Sequence, residues 1–527
     1  MAEEGKRRDH LIVLVHGLWG SAQNMARLES VIHHSLDDSN MANIHTYAPQ
    51  CFSHFKTYDG VEAIGNYILP DLLQHIENLH SEHDISITEI SFIGYSLGGL
   101  VCRYIVGELY ELDFFKSIKP GFFTTFATPH LGVTFYKGTV MNYLGGIFLG
   151  QSGRDLFLVG DEENIIYKLS DPNFKYYKGL EQFETKISIA NAKFDRTVGF
   201  YSAFITKYDP FNDWDNIDPK YITDLPTSTL KENNKHIECL VVDFKNSKIR
   251  DKSDKQTKKE NINEGRVFPL IVMSLITTCV FPILLSVSTF ATVKSYFRNR
   301  ILEKENVKKQ WKMLSHLLTT CKTSNRRKHD TNESDSNGDE EDEENDVAKE
   351  QESDGYNEEE QMKPNNVSVS HVTREIVENG LNIISNPDEY VEELVEEENG
   401  DKQNAENGID SGDDTVESFK IDLDFDLNYK SKSAAVDQLL DNLVSNDLSD
   451  TPIVENLNPL PFSEIREKIL NNLNTINWIK ITVLLHNLNS HQSVVGRRGF
   501  ERTPESIPFL FLFTFLIETS LKKHKSF

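Results

Sequence analysis

The sequence predicts an α/β protein with a doubly wound, mostly parallel sheet. Short apolar runs alternate with longer segments of helical periodicity, and strands separated by helices pair in parallel with helices on both faces. Two of the apolar runs end directly in Gly-rich turns, at His16-Gly17 and Gly94-Tyr95-Ser96. The chain has 527 residues, enough for one large domain carrying insertions.

Taken in order, Leu11–Val15 reads as a buried strand and Gln23–His34 as a helix, with Ile44–Ala48 a second strand. Val61–His80 places Val61, Ile64, Ile68, Leu72, Leu73, Ile76 and Leu79 at helical spacing. Ile90–Ile93 is a strand that leads through Gly94–Gly99 into a helix from Leu100 to about Leu109. Phe122–Ala127 and Ile187–Ala190 are further strands. The Gly-, Phe- and Tyr-rich stretch Phe135–Glu184 between them lacks clean periodicity, as expected of a cap. Helical patterning returns at Phe462–Ile476, with Ser463 as N-cap, followed by a strand at Trp478–Leu485.

The formal net charge of -27 argues against nucleic acid as a partner. That charge is concentrated: Thr331–Glu360 holds fifteen Asp/Glu against Lys349 alone. The surrounding stretch Arg326–Glu417 cannot bury enough apolar surface to offset its ordering entropy, so disorder is expected there. Cys51, Cys102, Cys239, Cys279 and Cys321 are scattered and read as free thiols. No metal and no organic cofactor is implied. Met1–His10 has no apolar stretch of the kind found in signal peptides, so a cytosolic catalytic part is expected.

Val267–Val293 is 27 residues without a charge, preceded by Arg266 and followed by Lys294, Arg298 and Arg300. It exceeds the ~20 apolar residues that span a bilayer core. Basic residues at both ends give no orientation bias, and Pro282 sits near the middle. An apolar membrane hairpin with both ends in the cytosol is expected. The boundaries that follow are 1–205 for the first part of the catalytic domain and 206–266 for a basic, irregular connection. The hairpin occupies 267–293, a basic helical flank 294–325 and the acidic insertion 326–461. Residues 462–500 complete the catalytic domain, and 501–527 form an apolar tail of unclear role.

Gly94-Tyr95-Ser96-Leu97-Gly98 fits G-x-S-x-G between an apolar strand and an apolar helix. A serine nucleophile at such a turn needs small neighbours, and the helix behind it offers N–H groups to an oxyanion. His16-Gly17-Leu18-Trp19-Gly20 ends the first strand, where α/β-hydrolases place the second oxyanion donor. The backbone N–H groups of Leu18 and Leu97 are therefore the expected oxyanion hole. Chain order in that fold is Ser, then Asp/Glu, then His. Asp195, in the loop after the strand ending at Ala190, is the expected acid; Asp155, Asp161, Asp209 and Asp213 follow no convincing strand. The base follows the last strand, where His491 is preferred over His486. His130 precedes the acid and is expected to be structural.

The motifs His16–Gly20, Gly94–Gly99, Phe126–Gly132 and Ser490–Arg498 resemble those of the fungal serine-esterase family that includes the lipid-droplet phospholipase of budding yeast and its lipase paralogues. The resemblance covers roughly Leu11–Tyr201, the apolar segment and Phe462–Gly499. It implies hydrolysis of lipid esters on the cytosolic face of a lipid droplet or of the endoplasmic reticulum, with glycerophospholipid as substrate. It also supports Ser96, Asp195 and His491, the last through the His-then-Arg-Arg arrangement. A neutral-glyceride lipase, an acyltransferase and an inactive membrane interaction protein are the alternatives. Glu501–Phe527 departs from the family's closing amphipathic helix, reading instead as an apolar run interrupted by proline.

Overall fold

The computed structural model describes residues 8–36, 42–134, 142, 145–146, 148–223, 225, 230–232, 235–237, 239–250, 286, 289–295, 297–298, 443, 447–487, 489–500 and 502–523. Its centre is one seven-stranded sheet. The strands are β1 (Arg8–Val15), β2 (Ala42–Tyr47), β3 (Ile87–Tyr95), β4 (Lys119–Phe126), β5 (Thr185–Asn191), β6 (Leu240–Val241) and β7 (Ile479–Leu484). They lie in the order β2-β1-β3-β4-β5-β7-β6. All neighbours pair in parallel except β7 and β6, which are antiparallel.

Alternate side chains of each strand enter two different cores, as the twofold repeat of a strand requires. Leu11, Val13 and Val15 pack with Phe92, Phe123 and the apolar faces of α2 (Val61–His83) and α3 (Leu97–Glu111). Ile12 and Leu14 face the opposite way, with Ile93, Phe122, Phe126 and Ile189. That side is covered by α1 (Ala26–Leu36) and by a C-terminal helix, Ser506–Lys523. Because β1 is covered on both faces, it reads as an unbroken apolar run rather than an alternating one.

In the stretch expected to be a cap lie the short helices α4 (Gly150–Leu156), α5 (Ile165–Ser170) and α6 (Lys175–Glu181). The last packs closely on α3: a Cβ on Gly179 would stand 2.3 Å from the Val106 carbonyl oxygen. A later helix, α7 (Glu464–Leu473), begins after Ser463 as expected, and its Arg466 donates to the Leu131 carbonyl at 2.9 Å.

Three expectations need correction, and a fourth falls mostly outside the described residues. First, the connection 206–266 is not wholly irregular, because Leu240–Val241 adds an antiparallel edge to the main sheet and Val242 and Phe244 are fully buried. Second, the last part of the expected acidic insertion 326–461 packs on the domain. Leu448 and Ile453 are buried, and Asp447 pairs with the buried Lys480 at 2.6 Å. Third, the tail 501–527 is a core element: the helix Ser506–Lys523 buries Phe509, Leu510, Leu512, Phe513 and Ile517. Pro508 lies in its first turn, where a missing N–H costs nothing. Fourth, most of the apolar run Val267–Val293, and with it the hairpin, lies outside the described residues. The end of the run, however, packs on protein: residues 289–295 are helical, and Ala291 is buried beside Trp19 and Tyr58. Among the described residues no helix is long and apolar enough to cross a membrane.

Candidate active site

The C-terminal ends of β3, β5 and β7 converge on one point. Ser96 follows β3 and opens α3 with φ 55° and ψ −126°. That is a costly conformation for a residue with a Cβ, and it is held on both sides. The Ser96 N–H donates to the Phe126 carbonyl at 2.8 Å. The Ser96 carbonyl accepts from the Thr128 hydroxyl at 3.0 Å. Two glycines permit the close approach. A Cβ on Gly98 would stand 2.1 Å from the Val15 carbonyl oxygen, and one on Gly17 would stand 2.7 Å from Ser96 Cβ.

His491 comes from the loop after β7, on a single turn of helix, α8 (Ser490–Ser493). Its Nε2 lies 3.0 Å from Ser96 Oγ, and its Nδ1 lies 2.9 Å from Asp195 Oδ2. Asp195 sits in the loop after β5. Its Oδ1 accepts from the N–H groups of Thr197 (3.1 Å) and Val198 (2.8 Å), and its Oδ2 accepts from Asn191 Nδ2 at 2.9 Å. With Asp195 an acceptor, Nδ1 of His491 carries the proton and Nε2 is free to accept from Ser96. The loop is anchored by Ser490, whose hydroxyl donates to the Lys193 carbonyl at 2.6 Å. All three expected residues therefore meet: Ser96 is 6 % exposed and His491 5 %, and the Asp195 side chain is 5 % exposed.

The alternatives lie elsewhere. His486 is exposed, and its N–H donates to Glu505. Asp155 accepts from the Val61 N–H at 2.9 Å, and Asp209 from the Phe211 N–H at 3.0 Å. His130 is fully buried, with Nε2 2.9 Å from Thr125 Oγ1 and Nδ1 3.4 Å from the Arg103 guanidinium. Burial and that cation both hold it far below the usual histidine range. A cavity of about 530 Å³ between the cap and α7, lined by Val133, Phe157, Leu158, Ile465 and Arg466 among others, includes none of the three site residues.

Leu97 is the first residue of α3, so its N–H has no carbonyl one turn earlier to bond. Leu18 follows Gly17, whose Cα side rests against Ser96. Behind Leu18, the Trp19 N–H donates to Thr57 Oγ1 at 3.0 Å and Trp19 Nε1 donates to Tyr58 OH at 2.8 Å. His16 stacks on Phe52, and burial lowers it to about 4, so it is neutral at physiological pH. Arg497 donates to the Trp19 carbonyl at 3.3 Å, joining the His-then-Arg-Arg stretch to the loop after β1. Asn191, Thr57 and Tyr58 were not expected from sequence. Asn191 alone left a trace, four residues before the acid on the same strand end.

Residues 5–207 match the family model described as "Putative serine esterase (DUF676)". Over these residues the chain is similar to that family. The serine-esterase segment also resembles curated proteins. Over 253 residues, covering 44% of this chain and 31% of the other protein, it is 29% identical to "Putative lipase C4A8.10" of Schizosaccharomyces pombe. Over 215 residues, 40% of this chain and 30% of the other, it is 29% identical to "Putative lipase ROG1" of Saccharomyces cerevisiae. The chain thus spans less than a third of the length of these relatives. Among solved structures, "Phospholipase PlaB from Legionella pneumophila in complex with thio-NAD" is similar at 15% identity, with a TM-score of 0.26, over 36% of this chain and 40% of that one.

Proposed function

We propose that this protein is a serine-dependent carboxylic ester hydrolase that cleaves acyl esters of glycerophospholipids at a lipid surface facing the cytosol, on a lipid droplet or the endoplasmic reticulum. One observation carries the reading: a single imidazole lies within hydrogen-bond reach of both Ser96 Oγ and Asp195 Oδ2. Substrate class and location are supported by the similarity to the lipase relatives and by the uncharged run Val267–Val293.

In this mechanism His491 Nε2 takes the Ser96 hydroxyl proton as Oγ attacks the ester carbonyl carbon. The Leu18 and Leu97 N–H groups stabilise the oxyanion. Collapse of the tetrahedral intermediate breaks the ester C–O bond, and His491 returns the proton to the leaving alkoxide. A water then repeats the sequence on the acyl-enzyme, giving a fatty acid and free Ser96. Asp195 fixes the imidazole's tautomer.

The test is product analysis of the purified chain with mixed phospholipid and glyceride vesicles, beside labelling by a fluorophosphonate. Fatty acid and lysophospholipid are expected. Ser96→Ala and His491→Ala are expected to lose ~10³-fold or more in kcat, and Ser96→Ala to lose the label. Turnover of Ser96→Ala at the unsubstituted rate would overturn the reading. Release of fatty acid from glyceride alone would move the substrate to neutral lipid.

A further inference from the structure

Among the described residues only four large hydrophobic side chains are exposed, and three share one helical stretch: Phe290 (61 %), Val293 (50 %) and Phe297 (60 %). The spacing is i, i+3, i+7, one face of a helix. The opposite face carries Ala291, Ser295 and Arg298, and it is bonded to the domain. Ser295 donates to the Tyr58 carbonyl at 3.1 Å. Arg298 makes a fork on the fully buried carboxylate of Asp59, at 2.8 Å and 2.6 Å, and donates to the Phe55 carbonyl at 2.9 Å. A surface helix ordinarily turns its apolar stripe inward and its polar stripe outward. Here the pattern is reversed.

What the inner face grips is the loop behind the oxyanion hole. Asp59 follows Tyr58 and Thr57, which hold Trp19, and Trp19 follows Leu18. Phe55, gripped through its carbonyl, sets its ring edge-on to both Trp19 and Phe290.

We infer that residues 289–298 are a lipid-contact element whose seating is transmitted through Arg298 and Asp59 to the loop bearing the Leu18 oxyanion donor. The occupant is a phospholipid surface. The outer face continues the uncharged run that begins at Val267, and the exposed Lys294 beside it suits a headgroup phosphate. A protein-binding face would be expected to carry a polar rim around its apolar centre, whereas the only charge in sequence between Phe290 and Phe297 is Lys294. Arg298 is then a positioning residue: it touches no reacting atom and acts through Asp59. The inference rests on the serine-hydrolase reading of the site, and its tests separate the two.

The experiment uses the full chain, a soluble short-chain ester, and vesicles of ether-linked phosphatidylcholine, which has no ester to cleave. Vesicles are expected to raise kcat for the soluble ester at least three-fold. Arg298→Ala is expected to lower kcat about ten-fold with KM within two-fold, and to lose the vesicle response while still floating with vesicles. Arg298→Lys, which keeps the charge but not the fork, falls between. Phe290→Ser with Phe297→Ser is expected to weaken flotation roughly 100-fold or more. Vesicles that leave kcat unchanged, or an Arg298→Ala enzyme that still responds, overturn the coupling. Unaltered flotation of the double variant overturns the surface and points to another covering of that face. Failure of the unsubstituted chain to hydrolyse any ester or take up fluorophosphonate would instead sink the hydrolase reading, and flotation would still report on the surface.

Discussion

Gly17→Ala isolates the contact between the loop after β1 and the nucleophile. The added Cβ would lie 2.7 Å from Ser96 Cβ, 3.1 Å from the Tyr95 carbonyl oxygen and 3.2 Å from Ser96 Oγ. Carbon atoms rest comfortably at ~3.5–4.0 Å, so the loop and the nucleophile must separate by roughly 1 Å. The Leu18 N–H moves with the loop. A misplacement of about 1 Å costs on the order of 10²-fold in rate, and loss of one oxyanion donor costs about 10²–10³-fold. The expected result is kcat for a soluble ester down by roughly 10²–10³-fold. Overpacking is expected to remove about 1–3 kcal/mol of stability, read from urea unfolding. Gly146→Ala is the control, since its Cβ would sit 3.4 Å from Val159, an ordinary contact. A Gly17→Ala enzyme that folds normally and turns over within three-fold of the unsubstituted rate would refute the placement of Leu18 at the oxyanion.

The remaining predictions concern stability. Phe513 is fully buried with its ring 4.9 Å from that of Phe126, edge to face, so Phe513→Ala is expected to cost about 3–5 kcal/mol; an unchanged urea midpoint would remove the C-terminal helix from the core. Burial pushes the Asp155 carboxyl up to about 6 from 3.8, against opposing hydrogen bonds from Val61 and Gln151. A folded-state value above the unfolded one means the charged form destabilises the fold at pH above 6, and the cost fades as pH falls from 6 toward 4. Asp155→Asn never carries that cost, so its stability relative to the unsubstituted chain is expected to rise by up to about 3 kcal/mol between pH 4 and pH 7. Urea unfolding at the two pH values checks this, and a pH-independent difference counts against it.

The parallel strands were legible because burial on both faces writes them as apolar runs. Val13 and Leu14 point into different cores, and both must be apolar. The two-residue strand Leu240–Val241 has no such signature, since its place is set by β7, which arrives some 240 residues later. The nucleophile, acid and base could be ordered from strand ends, because each stands on the loop following a strong strand. His486 abuts the strand end and His491 sits in the loop beyond it, and only the structure shows His486 exposed. The support behind Trp19 was illegible for the same reason: Thr57 and Tyr58 lie 38 and 39 residues away and carry no motif. Proline in Ser506–Lys523 misled because its effect depends on position. In the first turn it is compatible with a helix.

The 395 residues that separate Ser96 from His491 have a consequence in time. At ~5–20 residues per second of synthesis, roughly 20–80 seconds pass between the emergence of the nucleophile and that of its base. For nearly all of that interval the chain lacks β7, the strand that fills the sheet between β5 and β6, and throughout it lacks the helix Ser506–Lys523 that covers the second core. A nascent chain therefore holds an unactivated serine on an unfinished scaffold. On the proposed reading, a polypeptide whose synthesis stops inside the acidic insertion would hold Ser96 and Asp195 without the imidazole that joins them.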